Sequence, residues 1–227
     1  SINSINSVIK LTKLKKFRKI RIVYCPPYTL LDSFVKKTKN TKIYIGAQNC
    51  YYKSQYGSYT GSISCKMIQN TGSKFVIIGH SERRKEGDTD KKINLKIKSA
   101  LDSNLKVIFC IGETLHQKKN KQTYRILQKQ IISGLKNIKK LQNVIIAYEP
   151  VWSIGSGAVP NNELLSKTIE FIKKILKEKI KYERVKIFYG GSVNPTNIKK
   201  IRKIKQINGF LVGSASLKAK KFIDIIK

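Results

Sequence analysis

The sequence predicts an α/β protein in which helices cover a parallel sheet. Short apolar runs rich in β-branched residues alternate with amphipathic stretches along all 227 residues. Strands that are apolar almost throughout are typical of parallel sheets buried on both faces. No linker or low-complexity segment interrupts the alternation, so we predict one domain over residues 1–227.

Seven strands, each followed by a helix, are expected in order. The strands are predicted at residues 20–25, 42–48, 75–79, 105–111, 144–148, 185–189 and 209–212. The helices are predicted at 30–37, 64–70, 90–102, 122–138, 162–179, 195–204 and 217–226, with one more at 6–14 ahead of the first strand. Seven strands could form an open doubly wound sheet, whereas a closed barrel needs eight. The helix that no strand precedes suggests a first strand before Ser1.

The net charge of +34 invites a nucleic-acid interpretation. Forty of the 47 basic residues are Lys, however, and they are spread over every predicted helix. Arg is the residue that suits base and phosphate recognition. We therefore expect solvated basic faces and no specific nucleic-acid partner. The alternative interpretation is an inactive barrel that binds polyanions through its positive charge.

Cysteine usage and hydropathy favour a cytoplasmic protein. The four cysteines show no CxxC spacing, which argues against a zinc site or a disulfide framework. No apolar run approaches the ~20 residues that span a bilayer, and the first residues lack a signal-peptide pattern. We expect no metal, no cofactor and no membrane partner.

A carboxylate follows the fifth predicted strand. Glu149 comes directly after the apolar run VIIAY, and Pro150 ends any continuation of the strand. A loop with an apolar body and glycines at its far end is suited to cover a site and move on hinges. This predicted lid consists of Val151, Trp152, Ser153, Ile154, Gly155, Ser156 and Gly157.

An imidazole follows the third predicted strand in the same way. His80 comes after FVIIG and is followed by Ser81 and Glu82. A base at one strand end and an imidazole at another suit proton transfer. On its own, each residue is also compatible with a purely structural role.

Five motifs in order resemble the triosephosphate isomerase family. They are GHSERR (79–84), CIGET (110–114), AYEPVWSIGSG (147–157), YGGSVNP (189–195) and LVGSASL (211–217). The resemblance covers essentially the whole chain. It implies a TIM (β/α)8 barrel whose first strand is missing from this sequence, with the site at the carboxyl ends of the strands.

The resemblance also implies an activity and the residues that perform it. The reaction is the interconversion of dihydroxyacetone phosphate and glyceraldehyde 3-phosphate in glycolysis and gluconeogenesis, without a cofactor. Glu149 is similar to the base that moves the proton, and His80 to the electrophile that polarises the carbonyl. Ser81 and Glu82 are expected to support His80.

Phosphate binding and dimerisation are implied in the same way. Backbone N–H groups of Gly155, Ser192, Gly213 and Ser214 are expected to hold the substrate phosphate. The loop from Gly57 to Ser62 is expected to form the interface of a homodimer.

Three departures from the family pattern stand out. The opening strand, with its Asn and Lys, has no counterpart in the sequence. Ser214 follows Gly213 where the family usually has a second glycine, and Ser62 stands where it commonly has Glu. A different phosphate-binding barrel, such as an aldolase, would need a Schiff-base lysine inside a strand, but Lys106 and Lys186 lie at strand starts.

Overall fold

A computed structural model describes residues 4–17, 19–53 and 57–227 of the chain. Its seven strands form one sheet. They are β1 (Ile22–Tyr24), β2 (Ile43–Ala47), β3 (Phe75–Ile78), β4 (Lys106–Ile111), β5 (Val144–Tyr148), β6 (Lys186–Tyr189) and β7 (Gly209–Phe210). All seven fall inside the predicted runs.

The strands pair in sequence order and in parallel, from β1 at one edge to β7 at the other. The central pair β4–β5 has the longest register, from Val107 opposite Val144 to Ile111 opposite Tyr148. The sheet curls partway round a barrel, which confirms the predicted fold class. Because every strand runs the same way, the residues that follow the strands gather at one end.

The strands bury both of their faces, as the apolar runs predict. Alternate side chains point into the bore of the sheet, where Ile77, Ile108 and Ala147 form a cluster. The intervening side chains, such as Val76, pack against the helices in the main core. This alternation is the period of two that an extended chain imposes.

The helices cover the outer face of the sheet. They are α1 (Ser4–Thr12), α2 (Leu31–Thr38), α3 (Cys65–Asn70), α4 (Ser81–Lys85), α5 (Asp90–Asp102), α6 (Leu115–Lys119), α7 (Thr123–Gly134), α8 (Asn162–Glu178), α9 (Ile198–Ile201) and α10 (Ala219–Ile226). The short helices α4 and α6 have no counterpart in the prediction. Each follows a strand motif directly, and each starts at a side-chain cap: His80 for α4 and Thr114 for α6.

Helix α7 ends four residues earlier than predicted. The side chain of Asn94 on α5 donates hydrogen bonds to the carbonyls of Gly134 (2.8 Å) and Lys136 (3.0 Å). Asn137 then adopts a positive φ of 59°. The apolar pattern continues to Ile138. The helix nevertheless ends earlier, because the Asn94 side chain satisfies backbone carbonyls that lack an intrahelical partner at its end. Helix α9 is likewise shorter than predicted.

Within the described part of the chain, no helix is long and apolar enough to cross a membrane.

Candidate active site

A cleft of about 2010 Å³ opens at the carboxyl ends of the strands and continues into the bore of the sheet. Most residues predicted to act on substrate line it. These are His80, Glu82, Glu149, Ile154, Gly155, Gly157, Ser192, Gly213 and Ser214. The sequence separates the first and last of them by more than 130 positions, and the parallel sheet brings them to one cavity.

The sheet holds Glu149 at the mouth of the bore. Its backbone N–H donates to the Ile111 carbonyl (2.8 Å), so the ladder between β4 and β5 extends one residue past β5. The side chain lies against Gly190, where a Cβ would come within 2.7 Å of the Glu149 Cγ. Only glycine therefore fits beside the carboxylate. The Glu149 side chain is 3% exposed.

The Glu149 carboxyl group has the properties of a base held ready near neutral pH. Burial raises its pKa to about 8. The Cys110 thiol, the positive charge of Arg84 and the Ser81 backbone N–H act in the opposite direction. Its Oε2 has no hydrogen-bond partner among the residues described. A buried, unpartnered oxygen is costly, so this oxygen is available to a ligand.

His80 faces Glu149 from the neighbouring strand end. Its Nε2 lies 3.5 Å from the Glu149 Oε1. On the other side of the ring, the backbone N–H of Glu82 donates to Nδ1 (3.4 Å). Because Nδ1 accepts this hydrogen bond, the ring proton of a neutral imidazole belongs on Nε2, which points to the carboxylate.

The environment of His80 keeps the imidazole neutral. Burial lowers its pKa, and the nearby Glu82 carboxylate opposes that effect. Glu82 Oε2 lies 3.6 Å from Nδ1, but this side chain is 77% exposed, so solvent weakens its field. Ser81 is buried directly after His80 and starts α4.

Arg84 ties the two strand ends together. Its Nε donates to the Gly79 carbonyl (2.8 Å) and its Nη2 to the Cys110 carbonyl (3.3 Å), at the ends of β3 and β4. Its Nη1 pairs with Asp90 (2.7 Å) at the start of α5. The guanidinium thus supports the backbone beneath His80.

The predicted lid starts as a short 3₁₀ helix, Val151–Ser153. The Trp152 Nε1 donates to the Glu113 Oε1 (2.9 Å), and the Lys118 ammonium stands 3.3 Å above the Trp152 ring. The tip of the lid is exposed, with positive φ at Gly155 (70°) and Gly157 (76°). Aromatic anchoring at the base and glycine at the tip suit a segment that moves as a unit.

Ser153 connects the lid to the predicted phosphate site. Its Oγ accepts a hydrogen bond from the backbone N–H of Ser192 (3.2 Å) and lies 3.1 Å from the Tyr189 hydroxyl. The Ser192 N–H, predicted to bind phosphate, is therefore occupied by a lid side chain in this conformation.

Gly213 and Ser214 stand on the far side of the cleft. Both are exposed, and Ser214 opens a 3₁₀ turn, Ser214–Leu217. A Cβ at Gly213 would meet no atom within 4 Å. The space beside this backbone is open.

Four contributors to the site were not predicted: Arg84, Cys110, Glu113 and Tyr189. All four lie inside motifs that the sequence displays: Arg84 in GHSERR, Cys110 and Glu113 in CIGET, and Tyr189 in YGGSVNP. The alternation in β4 also gave a signal, because Cys110 and Ile108 share the face toward the bore. Among the described residues, no group of three or more His, Cys, Asp or Glu side chains could hold a metal ion.

The fold and site define a class: parallel barrel-type proteins that carry a buried carboxylate beside a neutral imidazole at the carboxyl ends of the strands. The family model for triosephosphate isomerase matches residues 2–227. The triosephosphate isomerase of Thermodesulfovibrio yellowstonii is 46% identical over 206 residues, which cover 89% of this chain and 83% of that protein. The one from Geotalea uraniireducens is 43% identical over 214 residues, with coverage of 92% and 85%.

A solved structure agrees with these relatives. The crystal structure of triosephosphate isomerase from Bartonella henselae superposes with a TM-score of 0.89 at 31% identity, covering 99% of this chain and 90% of that one. The chain belongs to the triosephosphate isomerase family.

Proposed function

We propose that this chain interconverts dihydroxyacetone phosphate and glyceraldehyde 3-phosphate, the step of its family in glycolysis and gluconeogenesis, with Glu149 as the base and His80 as the electrophile. The observation that carries the assignment is the 3.5 Å approach of His80 Nε2 to Glu149 Oε1. The base must reach a substrate carbon while the electrophile contacts the carbonyl oxygen of the same molecule. Both groups must therefore face the same part of the cleft.

The roles follow from the charge on each group. The Glu149 carboxylate removes a proton from one carbon of the triose and returns it to the adjacent carbon. The oxygen of the intermediate enediolate then carries negative charge, which the Nε2–H of neutral His80 stabilises by hydrogen bonding. A neutral imidazole stabilises that oxygen without first transferring a full proton to it.

The substrate phosphate is assigned to the backbone around Gly155, Ser192, Gly213 and Ser214. All four line the same cleft as Glu149. A dianion there requires free N–H donors, and the Ser192 N–H now donates to Ser153. We infer that closing the lid moves Ser153 Oγ away and frees this donor, so that lid closure and phosphate binding are coupled.

The experiment that tests the base is Glu149→Asp in an isomerase assay. The substitution retracts the carboxylate by one methylene, and turnover should fall ~10²–10⁴-fold, the usual contribution of general-base catalysis. The matched control is Glu163→Asp, whose side chain is 75% exposed and should leave turnover unchanged. Normal turnover of a folded Glu149→Asp protein would contradict the role.

The pH dependence gives a second test. Because the base acts as a carboxylate and its pKa is raised to about 8, kcat/KM should rise with pH through that region. A profile that is flat between pH 6 and about 9 would contradict a raised pKa for the acting base.

We further propose a homodimer in which the tip of the loop from Gly57 to Ser62 contacts the partner. The described tip is largely exposed, and within it the Tyr59 hydroxyl accepts a hydrogen bond from Lys53 (2.6 Å). Residues 54–56 of this loop lie outside the described residues. Thr60→Arg should shift the sedimentation coefficient to that of a monomer, and Asn120→Arg, at another exposed position, should not.

A cytoplasmic location is part of the same proposal. The four cysteines are free thiols, as in proteins of reducing compartments. Cell fractionation followed by detection of the protein would test it, and recovery with the membrane or secreted fraction would contradict it.

A further inference from the structure

Two buried thiols, those of Cys50 and Cys65, interact outside the candidate active site. Cys50 is 2% exposed and Cys65 is fully buried. The neighbouring thiol is the largest influence on the pKa of each cysteine, raising that of Cys50 and lowering that of Cys65. The two side chains therefore lie near each other inside the core.

The backbone brings together the two segments that carry these cysteines. Tyr51, directly after Cys50, forms a parallel β-bridge with Ser64, directly before Cys65. The Tyr51 N–H donates to the Ile63 carbonyl (2.8 Å), and the Cys65 Sγ lies 3.9 Å from the Tyr51 carbonyl oxygen. A disulfide requires two backbones that already lie close together. The bridge brings the two segments side by side, with Cys50 just before one bridged residue and Cys65 just after the other.

A buried cation stands beside the thiols. Lys96 is 2% exposed, and its ammonium binds the Asn49 side-chain oxygen (2.9 Å) and the Asp88 carboxylate (2.5 Å). Its charge lowers the pKa of both cysteines. The thiolate is the reactive form of cysteine, and a neighbouring cation favours it. Cys65, whose pKa is lowered overall, is the nucleophile of the pair.

We propose that Cys50 and Cys65 form a redox modification site, at which hydrogen peroxide closes a reversible disulfide across the base of the 51–64 loop. The Cys65 sulfur attacks one peroxide oxygen and breaks the O–O bond. The departing hydroxide takes up a proton and leaves as water, so that Cys65 carries a sulfenic acid. The Cys50 sulfur then attacks the Cys65 sulfur, and the hydroxyl leaves as a second water with the Cys50 proton.

The electrons balance in this sequence. Two thiols lose two electrons in forming one S–S bond, and one peroxide gains them in becoming two waters. A dithiol reductant reverses the reaction by thiol–disulfide exchange.

The surroundings select peroxide as the oxidant. The burial of both sulfurs excludes a bulky disulfide compound as the oxidant, whereas hydrogen peroxide is small and uncharged. The large cleft provides the approach, since Asn49 and Tyr28 line it. Cys50 directly follows Asn49 in the chain, behind this wall. The other two cysteines are poorer nucleophiles, because burial raises the pKa of Cys25 to about 12 and that of Cys110 well above its usual range.

The disulfide would restrain a segment with a proposed role. Fourteen residues lie between Cys50 and Cys65, and their tip is the proposed dimer interface. Cross-linking the base of a loop removes conformational freedom from it. The site would thus connect the oxidation state of the cell to the order of this loop.

Peptide mapping of the full chain tests the proposal directly. The folded protein is treated with hydrogen peroxide, its free thiols are alkylated in denaturant, and trypsin is added. Cleavage after Lys53 and Lys66 separates Cys50 and Cys65 onto peptides 43–53 and 54–66. We expect these two peptides to appear as one linked species that dithiothreitol separates, with Cys25 and Cys110 alkylated throughout.

Variants identify the pair and the order of events. Cys25→Ser is the matched control and should still give the linked species. Cys50→Ser removes the second thiol, so Cys65 should stop at the sulfenic acid and be captured by dimedone. Absence of the linked species from the oxidised native protein, or its formation only after unfolding in urea, would overturn the proposal. Because the readout is covalent, it does not depend on isomerase activity.

Discussion

The indole N–H of Trp152 donates a hydrogen bond of 2.9 Å to the carboxylate of Glu113. Trp152 belongs to the lid, whereas Glu113 follows β4 on the fixed part of the sheet. The Tyr148 hydroxyl also donates to Glu113, to both carboxylate oxygens at 3.3 Å. Glu113 is 1% exposed, so this buried acceptor holds the lid in the position that leaves its tip exposed.

Trp152→Phe should weaken this hold while keeping an aromatic ring at the base of the lid. Hydrogen bonds to charged groups contribute ~1.5–3 kcal/mol, so the equilibrium should move toward the closed lid. A phosphate-bearing competitive inhibitor that binds the closed form should then bind about 10- to 150-fold more tightly. Calorimetric titration would measure it, with Tyr124→Phe, at an exposed position, as the control. Weaker inhibitor binding to Trp152→Phe would contradict the open-state role.

Glu149→Gln should stabilise the protein increasingly as pH rises. The folded pKa of about 8 lies above the ordinary value of 4.5. Between these values the unfolded chain has lost the proton that the folded chain retains, so the stability of the parent falls with rising pH. Above about pH 8 the folded parent carries a buried negative charge at Glu149, which the Glu149→Gln variant lacks.

Thermal unfolding from pH 5 to pH 8.5 would measure this difference. Each 1 kcal/mol corresponds to ~2–4 °C in Tm for a chain of this size, so a growing gap of several degrees between variant and parent is expected. Glu163→Gln, at an exposed site, should show no such growth. A gap that is constant across the pH range would mean that Glu149 is not destabilised by burial.

Lys96→Met should destabilise the fold strongly. It removes the ammonium that pairs with Asp88 at 2.5 Å, and Asp88 is 5% exposed. Breaking a buried ion pair from one side costs ~3–5 kcal/mol, because the remaining charge has lost its partner. Denaturant unfolding would measure the loss.

A double variant separates lost attraction from an unpaired charge. Lys96→Met combined with Asp88→Leu should recover much of the stability, since no charge is then buried alone. Lys92 also approaches Asp88 at 3.5 Å from a side chain that is 42% exposed, and Lys92→Met should have a much smaller effect. If the double variant were as unstable as the sum of its parts, packing and not charge would be the cause.

Gly134→Ala should destabilise the contact between α7 and the sheet. A Cβ at Gly134 would lie 2.3 Å from the Phe109 Cζ, and both residues are buried. Overpacking of this kind costs ~1–3 kcal/mol, which outweighs the gain of ~1 kcal/mol that Ala brings over Gly inside a helix.

Neighbouring substitutions give the controls for this contact. Ser133→Ala, one position earlier and only half-buried, should be nearly neutral in thermal unfolding. Phe109→Leu should relieve the Gly134→Ala variant in the same assay. A higher Tm for Gly134→Ala would contradict this prediction, because it would mean that the Phe109 ring can move aside without cost.

The sequence alone determined the seven strands, the longer helices and their order, because these depend on residues close together in the chain. Apolar runs such as Val144–Tyr148 specify strands locally, and the regular alternation with helices leads to a parallel sheet. Parallel strands align their carboxyl ends, which is why Glu149 and His80 could be expected at one site. The five motifs then identified the family.

Tertiary structure alone decided the contacts between segments distant in sequence. Asn94 ends α7 from 40 positions away, Arg84 reaches the Cys110 carbonyl across 26, and Ser153 occupies the Ser192 N–H across 39. No local pattern encodes these partners, since each depends on the register of the sheet and on how the loops fold back over it. The same holds for protonation: burial, which raises the pKa of Glu149 and lowers that of His80, exists only once the chain has closed around them.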